Sequence, residues 1–133
     1  MLAFLAATLG LAQAQDAKIT GLRTGQVTVE ELSHNGINKA TRLVIETNIR
    51  VDVSMLLLAN PYRLVLDFPT SDWNVPGRGA NGVLNASPLK TYRLGTPTQG
   101  TTRLVFDLDG PAAPVRAFRL APNQRGHRFV VDI

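Results

Sequence analysis

The chain contains no cysteine. That absence excludes a disulfide framework, a Cys-ligated zinc and a cysteine nucleophile. Histidine is nearly absent too, with only His34 and His127, each beside a turn glycine and far apart in sequence. A catalytic zinc needs three protein ligands in fixed geometry, so no metal site is expected. No serine has a base partner in sequence. The adjacent carboxylates Glu30 and Glu31 point to opposite faces if the chain is extended there, so no acid/base pair stands out. Clustered Lys/Arg tracts interleaved with aromatics are lacking as well, which argues against a nucleic-acid partner. Gly77-Arg78-Gly79-Ala80-Asn81-Gly82 fits a dinucleotide-binding pattern in form only. Pro76 precedes it and no helical periodicity follows, so loop chemistry accounts for its glycines.

Long apolar runs are absent except at the start. Met1 to Leu11 is apolar and uncharged, and Ala12-Gln13-Ala14 follows. This reads as the hydrophobic part of a secretory signal with an Ala-x-Ala cleavage site, residues 1–14. It is too short to cross a bilayer core of about 30 Å, so no membrane span is expected in the mature chain. The usual basic stretch ahead of it is missing, which implies a start set too far downstream or a truncated sequence. The mature, exported chain would begin near Gln15. At 133 residues, 44% of them hydrophobic, the remainder can build one domain with a real core.

What the chain does have is a fourfold pattern of Arg, apolar, Val, apolar, acid. It occurs at Arg42-Leu43-Val44-Ile45-Glu46, Arg63-Leu64-Val65-Leu66-Asp67, Arg103-Leu104-Val105-Phe106-Asp107 and Arg128-Phe129-Val130-Val131-Asp132. Strand side chains alternate between faces. Each run therefore puts two apolar residues on one face and an Arg/Val/acid row on the other. The pattern belongs to a larger duplication. Thr41-Arg42 aligns with Thr102-Arg103, Leu58-Ala59-Asn60-Pro61 with Leu120-Ala121-Pro122-Asn123, and Ile19 to Thr24 loosely with Leu89 to Leu94.

The half-repeats span about 18–69 and 88–133, joined by a Gly/Asn/Pro-rich linker, 70–87, expected to be a loop between two sheets. Asn35-Gly36 and Gln99-Gly100 sit where each first hairpin turns. Asn60-Pro61 and Pro122-Asn123 mark the turn before each fourth strand, outside the strand interiors where proline cannot donate to a ladder. The fold expected over 15–133 is all-β: a sandwich of two similar four-stranded antiparallel sheets.

Two roles suit the arginine rows. They can ladder with the acids of neighbouring strands, Arg42, Arg63, Arg103 and Arg128 against Glu46, Asp67, Asp107 and Asp132. They can also grip ligand carboxylates with guanidinium forks, if the acids leave donors free. Residues 15–69 hold six basic and six acidic side chains and residues 70–133 eight and four, so the net charge of +4 lies in the second half. Its cations Lys90, Arg93, Arg116, Arg119 and Arg125 have no obvious partner, and they suggest an anionic ligand for that half. Trp73, the only tryptophan, is expected to pin the linker to the core.

Thr41-Arg42-Leu43-Val44, then Leu58-Ala59-Asn60-Pro61-Tyr62-Arg63-Leu64-Val65-Leu66-Asp67, resembles the AMIN domain. So does Gly95 followed by Thr102-Arg103-Leu104-Val105-Phe106-Asp107-Leu108, Gly110-Pro111, and Phe118 with Leu120. The resemblance covers about residues 18 to 133. It implies two symmetrical four-stranded sheets in a periplasmic module that binds peptidoglycan and localises a secreted N-acetylmuramoyl-L-alanine amidase, often at the division site. Divisome or cell-envelope proteins are the further partners it implies. On that reading Arg93, Arg119, Arg103, Arg63 and Lys90 are the candidate peptidoglycan-binding residues. No cofactor is expected in this chain, the zinc belonging to an amidase domain downstream. Similar domains precede secretin pores of type IV pilus systems, which leaves a secretin assembly domain as the alternative. A complete hydrolase without a visible site is the remaining one.

Overall fold

A computed structural model describes residues 16–29 and 38–133. The leader at 1–14, Glu30-Glu31, His34 and the Asn35-Gly36 turn lie outside the described residues. Among the described residues there is no helix. The strands are β1 (Lys18–Val29), β2 (Asn38–Thr47), β3 (Ser54–Leu58), β4 (Arg63–Pro69), β5 (Asp72–Trp73), β6 (Asn81–Ala86), β7 (Leu89–Gly95), β8 (Thr101–Leu108), β9 (Arg116–Asn123) and β10 (Gly126–Asp132). They form two five-stranded sheets, β5-β1-β2-β10-β9 and β3-β4-β8-β7-β6.

The all-β sandwich is as expected, but the halves are distributed differently. Each sheet combines the first hairpin of one half with the second hairpin of the other: β1–β2 with β9–β10, and β7–β8 with β3–β4. The chain crosses between sheets after β2 and after β8, and between β4 and β6 it visits the first sheet as β5, so neither half owns a sheet. At the middle of each sheet two Arg-led runs lie antiparallel. Arg42 faces Asp132 and Val44 faces Val130 across β2 and β10. Arg103 faces Asp67 and Val105 faces Val65 across β8 and β4.

Alternation then does what the pattern demands. Leu43 and Ile45, Leu64 and Leu66, Leu104 and Phe106, and Val131 with Ile133 turn inward and meet in one core. Fully burying an aliphatic or aromatic side chain contributes about 1.5–3 kcal/mol, so these inner rows hold the sheets together. The stretch 70–87 adds a strand to each sheet, β5 and β6, and is not a plain loop. Trp73 anchors it: the ring stacks on Tyr92 at 5.7 Å, and Nε1 donates to the Arg78 carbonyl at 2.9 Å.

The registers extend the duplication residue by residue. Gly21 faces Glu46 in one sheet where Thr91 faces Asp107 in the other. Both follow a bulge, and Ile19 and Leu89 just before it are fully buried. Gly25 faces Arg42 as Gly95 faces Arg103. Pro122-Asn123 departs from expectation. It lies at the end of edge strand β9, and the turn is made by Gln124-Arg125 before Gly126, at φ +100°.

Candidate functional site

The outward rows of both sheets carry the charge. In each sheet one run arginine takes the acid facing it. Arg42 holds Asp132 through Nε and Nη2 at 2.8 and 2.9 Å. Arg103 holds Asp67 with the same fork at 2.8 and 2.9 Å. These hydrogen bonds keep the Asp132 and Asp67 carboxyls below the usual carboxylate range and raise both guanidiniums.

The other two expected ladder pairs do not form. Glu46 is taken by Arg23, at 3.0 Å from Nε, across β1. Asp107 accepts from Thr91 Oγ1 at 2.9 Å and from Arg93 Nη1 at 3.2 Å, across β7. The facing run arginines therefore turn elsewhere, Arg128 to the Ala121 carbonyl and Arg63 to that of Pro61. Side-chain length explains the captures. The longer Glu46 lies over Gly21, where a Cβ would come within 1.9 Å of its Oε1. The shorter Asp107 is met by a hydroxyl at the equivalent position. Arg93 and Arg116, read from sequence as unpartnered, are both paired, with Asp107 and Asp132.

The two outer faces match in design and differ in access. On the β2–β10 face, Phe118 of β9 sits beneath two guanidiniums, those of Arg42 and Arg116, each 5.3 Å from its ring centre. Arg116 adds a third N–H to Asp132, at 2.7 Å. Asp132 and Val130 are left without solvent exposure. The middle of that face is closed over its acid, while the Arg42 and Arg116 side chains keep 26% and 37% of their exposure. On the β4–β8 face, Leu56 and Ser54 occupy the positions of Phe118 and Arg116. Val65 is buried there too, at 3%, but the side chains of Asp67 and Arg103 keep 30% and 37% of their exposure.

A groove of about 290 Å³ opens there, walled by Arg93, Arg103, Thr96 and Pro97 over Gly95 and Val105. No atom lies within 4 Å of where a Gly95 side chain would start, so the floor is flat. A second hollow, about 350 Å³, flanks Arg93 beside Asn81, Val83 and Thr91. Arginine has more N–H donors than these ion pairs consume. Each acid thus fixes its guanidinium while leaving donors for an oxygen-rich ligand.

Of the sequence candidates, Arg63, Arg93 and Arg103 share this face, on β4, β7 and β8. Lys90 is exposed at the β7 bulge. Arg119 is apart from them, on β9 of the other sheet, where it reaches the Val51 carbonyl. Sequence reasoning missed Gly95, Thr96 and Pro97. The matched glycines 25 and 95, two residues after Arg23 and Arg93, were the available signal.

The family model for the AMIN domain matches residues 22–133. No curated protein matches the chain. The match takes in nearly every described strand, both outer faces and the groove, and the chain belongs to the AMIN domain family. The AMIN domain is a peptidoglycan-associated localisation module, found in exported periplasmic proteins.

Proposed function

From that membership, and from the open charged β4–β8 face, we propose that this chain is the periplasmic peptidoglycan-binding and localisation module of an N-acetylmuramoyl-L-alanine amidase active in cell-wall cleavage and daughter-cell separation. The carrying observation is the groove at Arg93 and Arg103 over Gly95. Both guanidiniums are pre-oriented by Asp107 and Asp67, so less freedom is lost when a ligand binds. Thr96 and backbone groups along the groove, with Asn81 and Thr91 in the hollow beside it, suit glycan hydroxyls and amides. Arg63 and Lys90 widen the positive rim. Arg119 belongs to a separate corner of the molecule.

One such contact is weak, and a polymer of repeating sites multiplies it by avidity. The test is co-sedimentation with purified sacculi. Binding at low ionic strength that falls as salt rises is expected, because the exposed guanidiniums are screened. No binding at low salt refutes the proposal. Reading the gene past residue 133 tests the enzyme context. A His/Glu/His zinc domain there identifies an amidase, whereas a long β-rich pore domain identifies a secretin.

A further inference from the structure

We propose that the cleft at the open corner of the β9–β10 hairpin is a subsite for the free carboxylates of a peptidoglycan peptide stem. This rests on the wall-binding reading above but uses a different surface. The cleft encloses about 230 Å³, and Arg50, Arg119, His127 and Arg128 line it beside Leu120, Ala121 and Pro122. Three guanidiniums and an imidazole border the cleft, Arg119 and Arg128 reaching it from opposite faces of the hairpin, with few carboxylates to balance them. Asp52 is the nearest carboxylate to Arg119, at 3.7 Å, and its side chain is fully exposed. Glu46 faces Arg128 in register but is committed to Arg23.

Arg128 gives one N–H to the Ala121 carbonyl, while its Nε is buried with no hydrogen-bond partner. A buried donor left unmatched is costly and uncommon in folded proteins. An oxyanion drawn into the cleft, with a shift of the Arg128 side chain that uncovers Nε, supplies the acceptor.

The duplication provides an internal control. Counting along the registers, Arg128 corresponds to Arg63, Arg119 to Leu57 and His127 to Tyr62. At the equivalent corner of the other sheet Leu57 and Tyr62 are exposed and carry no charge. The fold keeps a single arginine at that corner, Arg63, bonded to the Pro61 carbonyl, so the further cations gathered at the β9–β10 corner need another reason. A bare inorganic anion would use only the charged wall. The apolar wall of Leu120, Ala121 and Pro122 fits a carboxylate borne on a small residue, such as the alanine that ends a stem.

The test titrates the whole chain with a disaccharide-tetrapeptide muropeptide. It follows the arginine Nε–H signals and the 119–128 amides by NMR, with two comparison probes: the same muropeptide with its stem carboxylates amidated, and inorganic phosphate. The expected result is shifts at Arg119 and Arg128 that amidation weakens about tenfold, near 1.4 kcal/mol. Arg50→Gln should weaken binding by a similar factor. Arg125→Gln, an equal charge change at the neighbouring turn, should leave it unchanged. Indifference to amidation, equal effects of the two variants, or a response to phosphate alone overturns the proposal. Sacculus binding with a silent cleft removes this inference and leaves the wall-binding reading standing. Muropeptide in the cleft without sacculus binding does the reverse.

Discussion

Asp132 and Asp67 occupy equivalent places, face equivalent arginines and accept the same fork of hydrogen bonds. They differ in burial. Asp132 is fully buried and takes a third N–H from Arg116, whereas the Asp67 side chain is 30% exposed. Asp132→Asn leaves two cations around a neutral amide that offers them a donor as well as an acceptor. Removing one partner of a buried pair costs about 3–5 kcal/mol. Arg42 and Arg116 keep partial access to water and rest on Phe118, so the low end, about 3 kcal/mol, is expected. At a urea slope of about 1.5 kcal/mol/M this is a midpoint drop of about 2 M. Asp67→Asn should move the midpoint far less, since exposed ion pairs contribute about 0–1 kcal/mol.

The sign with pH follows from the lowered carboxyl. A group whose pKa falls on folding stabilises above its unfolded value, about 3.9 for aspartate, and loses that contribution as pH drops through the folded one. The gap between wild type and Asp132→Asn should thus be full at neutral pH and close in acid. Urea melts at both pH values measure it. Equal losses for Asp132→Asn and Asp67→Asn, or a gap that does not narrow in acid, would refute the reasoning.

Other outcomes follow from the same geometry. Gly126→Ala places a side chain at φ +100° and 2.4 Å from the Thr47 carbonyl oxygen; a loss of about 2–4 kcal/mol in a denaturant melt is expected. Gly95→Leu fills the groove floor, where nothing lies within 4 Å; sacculus binding should fall at least several-fold with the urea midpoint unchanged. Residues 18–69 and 88–133 made as separate peptides should each be unfolded by circular dichroism, because β2 and β4 lose the partners that pair them across the halves.

Much of this was readable in the chain. The Arg-led runs fixed which residues face inward, since alternation on a strand is a local rule, and Leu43, Ile45, Leu104 and Phe106 are fully buried as that rule requires. Alternation does not say which strand lies alongside. The exchange of hairpins between halves was therefore hidden, and with it the arrangement that makes Arg42 answer Asp132. The capture of Glu46 by Arg23 and of Asp107 by Arg93 depends on strands beyond the runs themselves. Strand β6 was masked by its Gly/Asn composition, although Val83 and Leu84 already alternate outward and inward. Arg50 meets Arg119 and Arg128 only after the chain has crossed between sheets.

The central claim is that the open β4–β8 face, and not the capped middle of the β2–β10 face, holds the glycan strand of the wall. Hydrogen–deuterium exchange of the chain with and without solubilised glycan strands bearing peptide stems tests it directly. Protection in β7, β8 and residues 94–97, with a second patch at 119–128 where the stem subsite lies, is the predicted result. Protection over Phe118, Arg42 and Arg116 with none around Gly95 would contradict it.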